Sequence, residues 1–239
     1  MPVRRLFGVK QRRVFSRAAS ARMTEGDGNM ADLAMISELL QKGKSKEVEQ
    51  LTKDALAEGV SPKDILEKAL VHGMGVVGEK FKNNEVYVPE VLVAARAMSK
   101  AMGVLEPAMK AAGVGYAGKI ALATVKGDLH DIGKNLVAMM YRGAGFEVID
   151  LGIDAGPEKF VDACKEHNPN ILGLSALLTT TMPSMKEIID GVRSAGFKDT
   201  KVIIGGAPVT QAYADEIGAD GYSPDAASAV DLGKKLLGL

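Results

Sequence analysis

The hydrophobic positions between Ala31 and about Ala112 recur at the three- and four-residue spacing of amphipathic helices. The pattern is interrupted at Gly43, at Gly59 and at the polar run Lys82-Asn83-Asn84. This part of the chain is therefore predicted to form about four packed helices. Ser61 can cap the third helix and Pro62 can occupy its first position, and Pro89 marks the start of the fourth in the same way.

A different pattern begins after the glycine-rich stretch 113–118, which is predicted to be a linker. Short apolar runs predict strands at Ile120–Val125, Glu147–Leu151, Ile171–Leu174, Lys201–Ile204 and around Gly221-Tyr222. Amphipathic segments predict helices at Ile132–Tyr141, Pro157–Glu166, Met182–Ala195, Val209–Ile217 and Ala226–Leu237. Strands that alternate with helices indicate a parallel sheet with right-handed crossovers. The predicted fold class is therefore α/β, a flavodoxin-like (Rossmann-like) domain with a five-stranded parallel sheet, preceded by a small four-helix bundle.

Charge and cysteine content exclude several classes of function. The chain of 239 residues has 30 basic and 30 acidic residues, which favours neither nucleic acid nor a membrane surface as a partner. It has no apolar run near the ~20 residues that cross a bilayer. One cysteine, Cys164, cannot form an internal disulfide or a thiolate cluster, which disfavours a zinc or iron-sulfur site and suits a cytoplasmic protein.

The first 22 residues contain seven basic residues and no acidic one. Such a segment could be a mitochondrial presequence, but Met23 and Met30 offer later starts. Residues 1–30 are therefore interpreted as a basic disordered extension or a mis-called start, and the fold is expected to begin at residue 31.

Three loops of small and polar residues follow predicted strands. The run Gly127–Asn135 follows the first strand, Ser175–Thr181 follows the third, and Gly205-Gly206 follows the fourth. In a sheet of the flavodoxin order, ligands bind beyond the carboxyl ends of the strands, where the first and third strands part. The three loops are therefore expected to converge on one binding site.

The first of these loops pairs a carboxylate with an imidazole. It carries neither GxGxxG nor GxxxxGK[ST], so a dinucleotide or P-loop site lacks its phosphate cradle, whereas a flavin mononucleotide site stays possible. A metal-ligating histidine usually donates its second ring N–H to a carboxylate, and Asp128 and His130 could form that pair. The alternative, a capping aspartate beside a histidine with a structural role, also stays open.

The spacing Asp128-x-His130-x-x-Gly133, followed by Ser175-x-Leu177 and Gly205-Gly206, resembles cobalamin-binding proteins that replace the cofactor's own base by a histidine. The helical half contains Gly73-Met-Gly-Val-Val-Gly-Glu-Lys-Phe81 and Val86-Tyr-Val-Pro-Glu90, which resemble the cap of methyl-transferring corrinoid proteins. The resemblance covers about residues 31–239. It is closest to the corrinoid proteins of methylamine, methanol and methoxy-compound methyltransferase systems and to the matching region of methionine synthase.

The resemblance implies a role for each matching residue. His130 would be the axial cobalt ligand, Asp128 and Thr181 would complete its proton network, and Phe81 and Val88 would cap the methyl face. The other implied cofactor contacts are Glu67, Gly127, Leu129, Asp131, Gly133, Ser175, Leu177, Thr179, Gly205, Gly206 and Ala226. For Phe81, Val88 and the neighbouring Tyr87, ordinary core packing is an open alternative, as it is for Gly73, Gly75 and Gly78. His72 and His167 are expected to be surface or packing residues.

The resemblance also implies a function and a domain division. Residues 31–112 would be the helical cap, 113–118 the linker and hinge, and 119–239 the cobalamin-binding domain. The protein would carry a methyl group, as methylcobalamin or a related corrinoid, from a substrate-specific methyltransferase to a second one with a thiol or folate-type acceptor, and a reductive activase would restore it. Two alternatives remain: the cobalamin subunit of an adenosylcobalamin-dependent mutase, which needs no methyl-shielding cap, and a cobalamin sensor, which needs an output module.

Overall fold

The computed structural model describes the backbone of residues 27–239 and the side chains from Leu33 onward. Most of the basic extension, residues 1–26, lies outside the described residues, and its interpretation stays a prediction. Within the described part of the chain, no helix is both long and apolar enough to cross a membrane.

The first half of the chain forms the predicted bundle of four helical segments. These are α1 (Asp27–Gln41), α2 (Ser45–Ala57), the run of α3 (Pro62–Asp64), a π-helical segment (Ile65–Val71) and α4 (His72–Lys82), and then α5 (Val88–Ala111). Pro62 takes the first helical turn as predicted, but the Ser61 side chain makes no capping hydrogen bond, so that part of the prediction is wrong. The fixed backbone angle of proline starts this helix without the help of the serine.

The second half forms a five-stranded parallel sheet in the order β2-β1-β3-β4-β5. Its strands are β1 (Lys119–Thr124), β2 (Glu147–Asp150), β3 (Ile171–Ser175), β4 (Lys201–Gly205) and β5 (Gly221–Ser223). Its helices are α6 (Ile132–Gly143), α7 (Pro157–His167), α8 (Pro183–Ser194), α9 (Gln211–Ile217) and α10 (Ala226–Leu237). The predicted fold class is confirmed, because alternating apolar runs and amphipathic helices leave few other arrangements.

The helical bundle packs against α6 and α10, the two helices that cover one face of the sheet, and its core continues through them to that face. One cluster of buried side chains runs from Leu33 in α1 through Met98 in α5 to Tyr141, Ile171 and Ile203 around the sheet. A second cluster, which includes Phe160 and Ile188, fills the opposite face under α7, α8 and α9. The two halves therefore form one folded unit rather than two separate cores.

Small residues bring α4 of the bundle close to α6 of the sheet domain. A Cβ atom on Gly143 would lie 2.8 Å from the Met74 methyl carbon and 3.0 Å from its Cβ, and one on Gly78 would lie 3.0 Å from Met140. Gly73 faces α1 in the same manner, 3.1 Å from the Ser37 carbonyl oxygen. Close helix packing thus accounts for Gly73 and Gly78.

Gly75, in contrast, has open space at its Cβ position, with no heavy atom of the described residues within 4 Å.

An ion pair between Lys82 at the end of α4 and Asp231 in α10 also joins the two halves. The predicted linker is held in place as well, since the Ala117 N–H donates to the Gly145 carbonyl oxygen at 2.9 Å. A hinge at residues 113–118 would have to break such contacts, and its role as a hinge stays a prediction.

We expect the same glycine-to-alanine change to have opposite effects at two neighbouring positions of this interface. Gly143→Ala forces a methyl group against Met74 and should destabilise the protein by about 1–3 kcal/mol. Gly75→Ala enters open space in a helix interior and should stabilise it by about 0.5–1 kcal/mol. Urea unfolding of both variants measures the two changes in the free energy of unfolding. Shifts of equal sign would show that the contact with Met74 does not limit the approach of α4 to α6.

Candidate functional site

β1 and β3 are neighbours in the sheet, and the connections that follow them lead to opposite sides. The loop after β1 therefore begins at the switch point of the sheet. Gly127 has a positive φ of 85°, and its N–H donates to the Asp154 carboxylate at 2.7 Å. Glycine adopts this backbone conformation without the steric cost that a side chain would add. The turn directs the next residue, Asp128, back into the protein, where its side chain is completely buried.

The Asp128 carboxylate collects hydrogen bonds from two loops. Oδ1 accepts from the His130 backbone N–H at 3.0 Å and lies 2.7 Å from the His130 Nδ1 atom. Oδ2 accepts from the Leu177 N–H at 2.7 Å and from the Thr181 hydroxyl at 3.1 Å. This one side chain therefore joins the loop after β1 to the loop after β3.

Asp128 is held in its charged form by these donors. Burial by itself raises the pKa of a carboxyl group, but hydrogen bonds from the backbone of His130 and Leu177 and from the side chains of His130 and Thr181 outweigh it. The net result is that the pKa of Asp128 lies well below its ordinary range. The charged carboxylate then accepts the proton on Nδ1 of His130.

His130 consequently presents its other ring nitrogen, Nε2, as a lone-pair donor. Its side chain is 53% exposed, although its backbone is fixed, since its carbonyl oxygen accepts the Thr124 hydroxyl at 2.8 Å. Within the described residues, no group of three or more His, Cys, Asp or Glu side chains could hold a metal ion. A single oriented imidazole suits a metal that arrives with other ligands of its own.

A cavity of about 340 Å³ opens beside this loop, between the sheet and helices α6 and α10. The predicted site residues that line it are Phe81, Gly133, Ser175, Gly205, Gly206 and Ala226. Lining residues that the sequence analysis missed include Leu122, Lys134, Leu136, Val137, Tyr141, Gly173, Ile203, Ser223, Asp225 and Ala229. The predicted loops do converge on one place, and most of the walls come from strand interiors and helix faces.

Gly173 carried a signal that could have identified it, because a glycine inside a strand often marks close approach of another group. It lies in the middle of β3, and any side chain there would project against Leu122 at the wall of the cavity. At the rim, a Cβ atom on Gly206 would collide with the Ala176 carbonyl group, and the φ of Gly206 is +127°. These two positions depend on glycine for different reasons, space in one case and backbone conformation in the other.

Other predicted residues lie around His130 without lining the cavity. Leu129 and Leu177 are 67% and 45% exposed, and the unpredicted Ile132 is 78% exposed. These side chains give the loops around the imidazole an apolar surface that a flat ligand could cover. Thr179 and Asp131 are exposed beside them, and Asp131 accepts a hydrogen bond from the Asn135 side chain at 2.9 Å.

The residues predicted in the helical half separate into two groups. Phe81 in α4 reaches the cavity, whereas the half-buried Val88 begins α5 and does not line it. Glu67 lies in the π-helical segment with its side chain 57% exposed, 3.8 Å from Lys63, and it also does not line the cavity.

The two other histidines have local partners. His72 Nδ1 lies 3.1 Å from the Ser37 hydroxyl. His167 lies beside Glu166 at the end of α7, with 3.6 Å between its Nε2 atom and a carboxylate oxygen. Neither histidine lines the cavity.

Comparison with known families gives two matches to models of the B12 binding domain, one over residues 118–231 and one over residues 33–106. A corrinoid protein of Desulfitobacterium hafniense (strain Y51) is 41% identical over 213 residues, which cover 86% of this chain and 99% of the relative. The trimethylamine corrinoid protein of Methanosarcina barkeri is 43% identical over 185 residues, 76% of this chain and 85% of the relative.

Among solved structures, this chain resembles the methanol:cobalamin methyltransferase complex of Methanosarcina barkeri. The TM-score is 0.78 at 29% sequence identity, and the alignment covers 90% of this chain and 81% of the matched chain. Both halves of the fold therefore have counterparts in known proteins.

Replacement of the buried carboxylate should change how stability depends on pH. A group whose pKa is lowered by folding stabilises the folded state above its ordinary pKa, and this contribution is lost as the pH falls. Asp128→Asn should therefore cost on the order of 2 kcal/mol at neutral pH, and the difference from the unmodified protein should shrink below the ordinary aspartate value of 3.8. Urea unfolding between pH 3 and pH 7 measures this difference.

The matched control is Asp131→Asn, three residues along the same loop but exposed. Its stability should stay within about 0.5 kcal/mol of the unmodified protein. A pH-independent deficit for Asp128→Asn would mean that the amide disturbs packing and that the carboxylate charge contributes nothing.

Proposed function

The chain belongs to the corrinoid-protein family built from B12 binding domains, and we propose that it carries a methyl group on a bound corrinoid with His130 as the protein's axial ligand to cobalt. The observation that carries this proposal is the orientation of His130. The Asp128 carboxylate accepts a hydrogen bond from Nδ1 of His130, and this leaves Nε2 of the ring exposed at the switch point of the sheet. Thr181 and Leu177 hold that carboxylate in place from the opposite loop.

The residues around His130 fit such a cofactor. Exposed apolar side chains on the loops beside the imidazole suit the lower face of a corrin ring, and the cavity offers a space into which the displaced nucleotide tail can extend. The absence of a side chain at Gly173 keeps that space open, and Gly206 lets the loop after β4 approach Ala176 at its rim. When bound, the corrinoid supplies a cobalt centre that accepts and releases a methyl group.

The hydrogen bonds that link His130 and Thr181 to Asp128 matter both when Nε2 of His130 is bound to a ligand and when it is free. While Nε2 is engaged, the Asp128 carboxylate fixes the tautomer and the ring orientation. If Nε2 were free of cobalt, it could take up a proton, and the buried Asp128 carboxylate, held by the Thr181 hydroxyl, would stabilise the positive charge on the ring. We propose that these three residues couple proton uptake to release of the axial ligand.

We propose that residues 31–112 act as the cap over the upper face of the cofactor and residues 119–239 as the cobalamin-binding domain. Phe81 supports this division, because it extends from the helical half to the cavity of the other half. Val88 and Glu67, which do not line the cavity, would reach the cofactor only above the loops or after a shift of the bundle. The linker 113–118 would serve as the pivot of that shift.

The comparisons indicate a methyltransferase as the partner, since this chain is similar to a chain of a methanol:cobalamin methyltransferase complex. We further propose a second methyltransferase that accepts the methyl group, a reductive activase that restores the cofactor, and a cytoplasmic location. The single cysteine, which cannot form an internal disulfide, supports the cytoplasmic location.

Ligation by His130 is tested on the protein reconstituted with cobalamin and reduced to the Co(II) state. We expect electron paramagnetic resonance to show splitting from a histidine nitrogen, which changes with ¹⁵N-labelled histidine and disappears in His130→Ala. His167→Ala, at the far end of α7, is the matched control and should leave the splitting intact. Splitting that survives His130→Ala would overturn the assignment of the ligand.

Methyl carriage itself is tested by anaerobic incubation with methylated amines, methanol or methoxy compounds and their methyltransferases. Mass spectrometry should then detect a methylated corrinoid on this protein with one class of donor. If the protein loads with corrinoid but no donor class methylates it, the carrier role is contradicted and the ligation result still stands.

The cap assignment predicts a light-sensitive variant. Phe81→Ala removes the apolar side chain that we propose to cover the methyl face, so the methylated corrinoid should stay bound but photolyse several-fold faster than in the unmodified protein. Leu92→Ala, at an exposed position of α5, is the control and should not change the rate. Equal rates for all three proteins would show that Phe81 does not shield the methyl face.

A further inference from the structure

We propose that the lower part of the cavity selects corrinoids whose lower base is an apolar benzimidazole over those whose base is a purine. This inference rests on the proposed function, because it assumes that the nucleotide tail of a corrinoid enters the cavity. It concerns which corrinoid the chain prefers, and it follows from the distribution of polar groups along the cavity.

The strand register divides the sheet wall of the cavity into two layers. At the carboxyl edge, Ser175 pairs with Gly205 and Gly205 with Ser223, so this layer is small and polar. Two residues earlier, Leu122 pairs with Gly173 and Gly173 with Ile203. Since a strand rises about 3.3 Å per residue, the second layer lies roughly 6–7 Å deeper, and its side chains are apolar.

Helix α6 follows the same order, from the rim of the cavity to its deep layer. Gly133, Val137 and Tyr141 lie at four-residue intervals along α6, and all three line the cavity. Because α6 begins at the carboxyl edge of the sheet, Val137 and Tyr141 face successively deeper parts of the space. The polar rim suits the phosphate and ribose of a tail, and the base that follows them would then lie among apolar side chains.

Tyr141 supplies the polar side-chain group on the α6 wall of this deep region, and its hydroxyl is already engaged. It donates to the Ala229 carbonyl oxygen at 2.7 Å, and the ring packs edge-on against Phe146 with 5.1 Å between ring centroids. Gly233 leaves room for the hydroxyl, since a Cβ atom there would collide with it. The position of the tyrosine is thus fixed by three neighbours.

Two other polar side chains of the wall, Lys134 and Asp225, are also paired. The Lys134 ammonium group binds both Asp150 oxygens at 2.6 and 2.7 Å. The Asp225 carboxylate accepts from the backbone N–H groups of Ala227 and Ser228, which it caps. Among the described residues, no buried side-chain nitrogen or oxygen lacks a hydrogen-bond partner. The deep layer therefore offers no unused side-chain donor to a base, and its remaining side-chain acceptor is the Tyr141 oxygen, which donates to Ala229.

A purine in this position would bury ring nitrogens for which the deep layer has no donor. A dimethylbenzimidazole also buries the ring nitrogen that is displaced from cobalt, but it has methyl groups at the edge where the purine has further polar groups, so it leaves fewer polar groups without partners. Because each buried polar group left without a partner weakens binding by about tenfold, we expect the chain to prefer the benzimidazole form by at least about tenfold.

The test compares three corrinoids on the full chain: cobalamin, its analogue with adenine as the lower base, and cobinamide, which has no nucleotide tail. Dissociation constants come from anaerobic titrations followed by the absorption spectrum. We expect cobalamin to bind most tightly, and both other corrinoids to bind at least about tenfold more weakly. Equal affinity for the adenine analogue and cobalamin would overturn the inference, whereas failure to bind any of the three would instead contradict the proposed function.

Two variants test whether the deep layer determines the preference for a benzimidazole base. Gly173→Val fills the space and should bring the affinity for cobalamin down to that for cobinamide, with cobinamide binding unchanged. Val137→Thr adds a hydroxyl group that can donate to a purine ring nitrogen, so it should narrow the preference for benzimidazole several-fold. Val148→Thr is its control, since Val148 packs against the same core but does not line the cavity.

If neither Val137→Thr nor Val148→Thr changed the preference for benzimidazole over purine, the base would not lie in the deep layer. Equal losses of cobalamin and cobinamide affinity in Gly173→Val would show the same. If Gly173→Val does not fold, the comparison of the three corrinoids on the unmodified chain still decides the proposal.

Discussion

The buried carboxylate of Asp128 is the interaction on which the rest of the site depends. It accepts hydrogen bonds from a residue two positions along its own loop and from Leu177 and Thr181, 49 and 53 positions away. A buried charge is tolerated only when it is fully hydrogen-bonded, so the loops after β1 and β3 have to stay in register. The same bonds set the tautomer of His130 and expose its Nε2 atom. The described part of the chain thus presents a single oriented imidazole at the switch point of the sheet.

Glycine residues determine how closely the other parts can approach this centre. Gly173 keeps the middle of β3 clear of side chains, and Gly206 allows the loop after β4 to approach Ala176. Farther out, Gly143 and Gly78 let α4 pack directly against α6, which brings Phe81 to the cavity. A close-packed interior transmits small changes, so the position of the helical bundle and the shape of the cavity are linked.

The shared core sets a condition for any movement of the bundle. Side chains of α1, α4 and α5 belong to the same buried cluster as those of α6, α10 and one face of the sheet. If the bundle caps a bound corrinoid as we propose, exposure of the upper face would have to separate part of this core or shift the bundle as a unit on the α6 surface. A methyltransferase that binds the open arrangement would have to supply the difference in free energy through contacts of its own.

Periodicity and local motifs allowed much of this protein to be predicted from its sequence. All five strands and the helices that follow them start and end within two residues of the predictions, because alternation of apolar runs and amphipathic segments is a local property. The spacing of Asp128 and His130 was also local and could be read directly. The family resemblance had also linked Thr181 to this pair. Tertiary structure alone decided that the Leu177 N–H reaches the same carboxylate, that Gly173 and Tyr141 line the cavity, that Ser61 forms no side-chain cap and that Glu67 and Val88 lie outside the cavity wall. These outcomes depend on strand order and on the docking of the bundle, which bring distant residues together and leave no periodic trace along the chain.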